Sequence, residues 1–438
     1  MKRALALRCG LTLLTLGALA GGAAAAGTAV PDPPLVLSGT RVLDPAGARW
    51  LAGRDVLIAG GRIAAIAAPG SFPVPAGALR LDLTGLHLVP GLIELHSHLL
   101  LHPYDETPWD DQVLKEPLEQ RVLRGVLAAR ATVEAGFTTV RDLGTEGAGF
   151  ADVALRDAVA RRWIVGPRVF ASTRALVASG AYGPAGDPRW DLPKGAQVVD
   201  GPVAVRRAAR EQIAAGADWI KVYADYRRRP GGPSTPTFTE EEMAAAVDEA
   251  RSAGLPVAAH AYTDEGIRRA VMAGVRTIEH GTYASDATLA LMKRKGVVLC
   301  PTLAAGEAIA RYGGWKPGTP EPPRLQEERE FFARALKSGV TIGNGSDVGV
   351  FTHGENAREP ELMVAYGMKP ADALRAATST AAAVLGKEKE LGRIEAGYLA
   401  DLVAVDGDPL VDVSALARPV VVVKDGAVVK NRRAAPAH

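Results

Sequence analysis

From residue 137 to residue 385 the chain alternates short β-branched or aromatic runs with alanine-rich stretches, and few architectures accept that alternation. The runs cover 137–142, 167–172, 218–223, 256–260, 276–280, 297–301 and 340–344. Helical patterns lie beside them, among them 240–253, 264–273 and 370–385. Several stop at an Ala-Gly pair, at 135–136, 215–216, 253–254 and 273–274, where glycine supplies the left-handed conformation that ends a helix. One further run, 89–98, precedes them all. Eight strands in βα order predict an α/β protein, a (β/α)8 TIM barrel over 87–387 with its active site at the C-terminal ends of the strands.

The two ends of the chain have a different texture. Short β segments at 35–38, 55–58 and 62–66 are punctuated by Gly60-Gly61, and the pattern returns at 401–406 and 419–430 around Asp425-Gly426. A small β-sandwich formed from both chain ends, 27–86 plus 388–438, is the expected companion of the barrel. Residues 1–26 read as a signal peptide: Lys2, Arg3 and Arg8 precede an apolar run at 11–20, and Ala24-Ala25-Ala26 supplies a cleavage site. The run is too short to span a bilayer. The expectation is therefore an exported protein, periplasmic or secreted, with no membrane attachment after cleavage. Cleavage removes Cys9 and leaves Cys300 alone, so no internal disulfide is available; Cys300 reads as a buried strand residue. A net charge of +2 is too small to argue for nucleic acid or an anionic membrane. The insert at 226–238, with Arg227-Arg228-Arg229, reads as an irregular solvated loop over the mouth of the barrel.

The run at 89–98 ends in His96-Ser97-His98. Side chains at i and i+2 of a strand point the same way, so both imidazoles reach toward one point. Other strand ends carry Lys221, His260, His280 and Asp347, and four of the eight histidines in the sequence fall at such ends. Four imidazoles and a carboxylate suit zinc or a similar divalent ion, and they exceed what one open zinc site needs. Two ions sharing the site is the economical reading. An ammonium beside two cations is repelled, so Lys221 is neutral, points elsewhere, or is converted to an anion.

His96-x-His98, Lys221 in Ile-Lys-Val-Tyr, His260 in Ala-His-Ala, His280 in Glu-His-Gly and Asp347 in Gly-Ser-Asp together resemble the amidohydrolase superfamily. The resemblance extends to 136–144 and 397–403 and covers nearly the whole chain after the leader. It implies two divalent metal ions, zinc by expectation, with Lys221 N6-carboxylated and bridging them. His96, His98 and Asp347 would hold one ion, and His260 and His280 the other. Within the superfamily the chain looks most like the imidazolonepropionase-related group of metallo-dipeptidases and carboxypeptidases. Where many Xaa-Pro-type relatives carry Gly-Gly-His-Gly, this chain reads Ser179-Gly-Ala-Tyr-Gly-Pro184, which is more similar to the ochratoxin-amidase branch.

That resemblance implies hydrolysis of an amide bond in a dipeptide or N-acyl amino acid, ochratoxin A included. The alternative is a mononuclear cyclic-amide hydrolase or deaminase of the imidazolonepropionase type. Asp347 is the expected general base and acid, and Tyr223, on the same side of its strand as Lys221, the expected oxyanion donor or else a packing tyrosine at the rim. Tyr182, His353 and Arg141 are candidates for the substrate carboxylate, although Arg141 has Asp142 beside it as an ordinary partner. The expected partners are a small-molecule substrate and, in a homo-oligomer, further copies of the chain.

Overall fold

Seven of the eight predicted runs form strands whose hydrogen-bonded neighbours are parallel. A computed structural model describes residues 32–47, 49–187, 189–229 and 231–433, so the expected leader at 1–26 lies outside the described residues. Leu92–Ser97, Phe137–Asp142 and Arg168–Ala171 make one parallel ladder. Ile220–Tyr223, Val257–Ala261, Thr277–His280 and Val298–Cys300 make another. Between the two ladders the amides of Asp218 and Trp219 donate to the Ala171 carbonyl at 2.7 and 3.2 Å. Helices intervene between the strands, in the order of a TIM-barrel-type α/β fold.

The eighth run, 340–344, is not a full strand. It touches its neighbours through isolated parallel bridges, Leu299 with Ile342 and Ser97 with Val348. The Leu95 amide donates to the Asn344 carbonyl, and the Asp347 amide to the His96 carbonyl, both at 2.8 Å. The reason for the broken ladder lies in the residues. The Asn344 side chain donates to the Ile93 carbonyl at 3.2 Å, replacing a backbone bond. Gly345 is squeezed: a Cβ there would lie 3.0 Å from the His96 Cβ and 3.1 Å from the Cys300 Cβ. Cys300 itself is fully buried, as its strand context suggests.

Helix ends follow the Ala-Gly signals. Helices Leu118–Glu134, Gly201–Ala214, Glu240–Ser252 and Asp264–Ala273 stop there, and Gly136, Gly216, Gly254 and Gly274 all have φ between 74° and 98°. The helical pattern over 370–385 is two helices, Pro370–Ala376 and Ser379–Val384. Carbonyls at the break bond outside the helix: Ala377 accepts from Ile93 at 2.8 Å and Ala376 from Asn344 at 3.1 Å. The insert at 226–238 also differs from the expected irregular loop. Asp225–Arg227 and Ser234–Pro236 pair as a short antiparallel ribbon.

The two ends of the described chain share one eight-stranded sheet. His87–Pro90 pairs with Leu402–Val405, antiparallel, and so joins them. Leu37, Val56, Ile58, Leu88, Leu402 and Val423 are among the residues of the apolar cluster that the sheet encloses. Only Gly91 separates His87–Pro90 from the first barrel-type strand, so the terminal sheet leads directly into the histidine pair.

Candidate active site

His96 closes an apolar strand and His98 follows two residues later; both are buried. Each imidazole is oriented through its Nδ1. His96 Nδ1 lies 3.0 Å from Glu279 Oε2, and His98 Nδ1 donates to the Gly144 carbonyl at 2.8 Å. This leaves both Nε2 atoms facing Asp347 Oδ1, at 3.4 and 3.2 Å. His96, His98 and Asp347 therefore form a group able to hold a metal ion, their ligand atoms lying within 4.8 Å of one another.

A second pair adjoins this group. His280 Nε2 lies 2.9 Å from His260 Nδ1, and His280 Nδ1 lies 2.7 Å from Thr302 Oγ1. The His260 ring stacks on Tyr223 at 4.3 Å, and the His280 ring on Tyr262 at 4.6 Å. Lys221 Nζ and His260 Nε2 are buried with no hydrogen-bond partner among the described residues. Buried polar atoms without partners are costly, and a strand-end cluster holding two of them suits an additional ligand. All six residues expected to ligate metal thus gather at one end of the strands. The donor set fits divalent metal: imidazole nitrogens turned by their outer hydrogen bonds, one carboxylate, and an amine with no competing contact.

The electrostatics match this arrangement. Burial lowers His96 to about 4, with the charge of Lys221 assisting and that of Asp347 opposing. For His98 burial also works downward, but the hydrogen bond and charge of Asp347 outweigh it and raise the group to about 9. Burial lowers Lys221 to about 8 against the attraction of Glu279 and Asp347. Asp347 stays below the ordinary carboxylate range, because His96 and His98 offset the effect of its burial. Backbone strain gathers at the same end: Glu146, Thr173, His280, Thr302 and Asp347 have φ between 50° and 74° although none is glycine.

The cavity above these residues has a volume of about 840 Å³. Tyr182 and Tyr223 line it, together with Trp109, Tyr226, Glu146, Tyr262, Arg324 and Glu328. Tyr182 hydrogen-bonds Glu146 through its hydroxyl, and its ring packs on Tyr223 at 4.7 Å. Two expected substrate contacts are corrected. Arg141 is fully buried beneath the site and does not line the cavity. Its partner is not Asp142: it donates to the Leu95 carbonyl, to Thr277 Oγ1 and, at 2.8 Å, to Glu279 Oε1. His353 is also away from the cavity, with Nε2 donating to the Leu101 carbonyl at 3.1 Å, so it holds its loop against the segment that follows His98.

Sequence reading missed several residues. Glu279 and Thr302, which turn His96 and His280, were within reach: Glu279 precedes a ligand in its strand and must face differently from it. Tyr262 was also within reach, two residues beyond His260. Glu146 and Arg324 carry no local signal, since one sits on a loop and the other on the first turn of helix Pro323–Ser338.

The amidohydrolase family profile matches residues 87–429. The ochratoxinase of Aspergillus niger is 31% identical over 359 residues, spanning 76% of this chain and 72% of that protein. Among solved structures, a Xaa-Pro dipeptidase with methionine bound in its active site superposes with a TM-score of 0.81 at 32% identity, over 90% of this chain and 99% of that one. A prolidase complexed with N-methylphosphonate-L-proline gives 0.79 at 34% identity, over 91% and 100%. With a profile match that runs from His87 through every residue of the cluster, the chain belongs to the amidohydrolase family and is a hydrolase acting on C–N bonds.

Proposed function

We propose that this chain is a binuclear metal-dependent amidohydrolase that cleaves the amide bond of dipeptides or N-acyl amino acids. The observation that carries the reading is the six-residue cluster, with Lys221 Nζ buried and unpartnered and its charge felt by both His96 and His260. His96, His98 and Asp347 are assigned to one ion, His260 and His280 to the other, and Lys221, carboxylated on its amine, to both. The lowered basicity of Lys221 supports this, because only a neutral amine adds to carbon dioxide. Zinc suits the imidazole-rich set. The printed activities of the relatives, an ochratoxinase and a Xaa-Pro dipeptidase, support an amide beside a carboxylate-bearing residue as the substrate class. We also take the eight strands to close into a barrel, the terminal sheet to fold as a sandwich, and the leader to direct export.

When bound, such ions supply Lewis acidity that lowers the pKa of a water and polarises the scissile carbonyl. The rest is done by the chain. Asp347, ionised by its two histidines, accepts the water proton on its carboxylate and returns it to the leaving nitrogen. Tyr223, kept protonated by burial, donates its hydroxyl to the developing oxyanion. Aromatic rings of Tyr182, Tyr226 and Tyr262 wall the cavity around it.

The test is metal content and modification. About two ions per chain, a mass increase of one carbon dioxide at Lys221, and loss of activity in Lys221→Ala are expected. One ion per chain with an unmodified lysine would favour the mononuclear cyclic-amide reading.

A further inference from the structure

Asp110, Glu146, Arg227, Arg324 and Glu328 line the cavity with charges that amide hydrolysis does not itself require, and two of them, Glu146 and Arg324, are the candidates to hold a substrate's ends. Glu146 lines the cavity while being only 2% exposed. Its Oε2 accepts from the Tyr182 hydroxyl and, at 3.0 Å, from Trp109 Nε1. Its Oε1 is buried without a partner among the described residues. Arg121 lies behind it, but that guanidinium is committed to the carbonyls of Leu100, Thr145 and Glu146. The second group is Arg324. Its Nε donates to Glu328 Oε1 at 2.9 Å and Nη2 to the Tyr262 hydroxyl at 3.4 Å, while Nη1 donates to no described residue. Its side chain is 45% exposed at the cavity, so a ligand can reach it.

The two charges flank opposite ends of the histidine set. Glu146 Oε1 is 3.9 Å from His98 Nδ1, whereas Tyr262, which Arg324 contacts, stacks on His280. His98, His96 and His280 follow one another with ring centres 5.3 Å apart. A carboxylate oxygen lacking a partner at one end, and a guanidinium with a spare nitrogen at the other, complement a zwitterion.

We propose that the cavity is a two-ended clamp for a free dipeptide: Glu146 Oε1 accepts the N-terminal ammonium and Arg324 Nη1 donates to the C-terminal carboxylate. The scissile bond is thereby held beside Asp347. This rests on the amide-hydrolase reading above and narrows it, since an N-acyl amino acid has no ammonium to offer Glu146. An extended dipeptide reaches at most about 7 Å, which keeps both termini within the cavity. The Glu146 end is walled by Trp109, Tyr182 and Tyr226, so the ammonium meets its carboxylate among aromatic rings. Burial there makes the pairing selective: a carboxylate oxygen lacking a partner is costly, and a substrate without the amine leaves it so.

The test uses the metal-loaded full chain and three substrates sharing one scissile bond: leucyl-phenylalanine, 4-methylpentanoyl-phenylalanine, which lacks the amine, and leucyl-phenylalaninamide, which lacks the carboxylate. The free dipeptide is expected to exceed each of the others in kcat/KM by about tenfold or more. Glu146→Gln is expected to lose that factor on the two amine-bearing substrates relative to 4-methylpentanoyl-phenylalanine. Arg324→Gln is expected to lose it on the two carboxylate-bearing substrates relative to the amide. Equal rates on all three substrates by the parent enzyme overturn the clamp while leaving amide hydrolysis standing, and that comparison needs no variant to fold. Hydrolysis of none of the three overturns the amide-hydrolase reading itself, and the clamp with it.

Discussion

A guanidinium with no solvent exposure needs a partner in kind, and Arg141 finds it in Glu279 at 2.8 Å. The pair does more than neutralise itself. Glu279 uses its other oxygen on His96 Nδ1, so the charge of Arg141 is relayed to the orientation of a candidate ligand. Burial works against ionising Glu279, yet Arg141 and His96 hold its carboxyl well below the usual carboxylate range. Glu279→Gln preserves the shape and removes the charge. Two consequences are expected: metal affinity falls by about 10–100-fold as His96 loses its anchor, and the fold loses about 3–5 kcal/mol because Arg141 is left unpaired. Metal titration of the stripped protein and denaturant unfolding read the two effects separately. Unchanged metal affinity would mean that His96 is positioned by its strand alone.

At the scale of elements, the first barrel-type strand and the segment that follows 340–344 approach closely. A Cβ at Gly349, whose φ is +112°, would meet the His98 carbonyl at 2.6 Å. Gly349→Ala is expected to cost about 1–3 kcal/mol and to displace His98. Urea unfolding checks the first, and zinc content after dialysis the second; full zinc retention in a destabilised variant would separate the site from this contact. The same region shows where sequence reading stops. Strand ends, helix stops and the His-x-His spacing are local, so periods of 2 and 3.6 residues reveal them. The interrupted eighth strand and the split of 370–385 arise because Asn344, 251 residues away in the chain, and Ala377 both bond to Ile93, while Ala376 bonds to Asn344. No window of sequence contains that exchange. Arg141 misled for a related reason. A cation near predicted strand ends looks like a binding group until another strand supplies Glu279. Glu146 and Arg324 likewise become a pair only once both stand at one cavity.

The whole molecule decides the chemistry of Lys221. No single neighbour lowers its basicity; enclosure by the strands does, with Arg141 adding to it, while Glu279 and Asp347 pull the other way. The relatives with different printed substrates match at similar identity, 31% and 32%, which fits a common fold with specificity left to the loops. On the reading that Lys221 is carboxylated, this enclosure sets how an emptied site refills. Stripping metal with a chelator removes what stabilises the carbamate, which takes up a proton and releases carbon dioxide, leaving the amine. Refilling reverses that step: the neutral amine adds to carbon dioxide and a proton leaves. The group titrates at about 8, so protonation blocks addition below that pH and deprotonation permits it above. At pH 7 only roughly a tenth of the amine would be neutral, against nearly half at pH 8. Recovery of activity after adding zinc, at fixed dissolved carbon dioxide, should therefore accelerate through the range around pH 8 and level off above it. Without carbon dioxide recovery should stall, and Lys221→Ala should not recover at any pH. Recovery that ignores both pH and carbon dioxide would show that the amine, not the carbamate, serves the site.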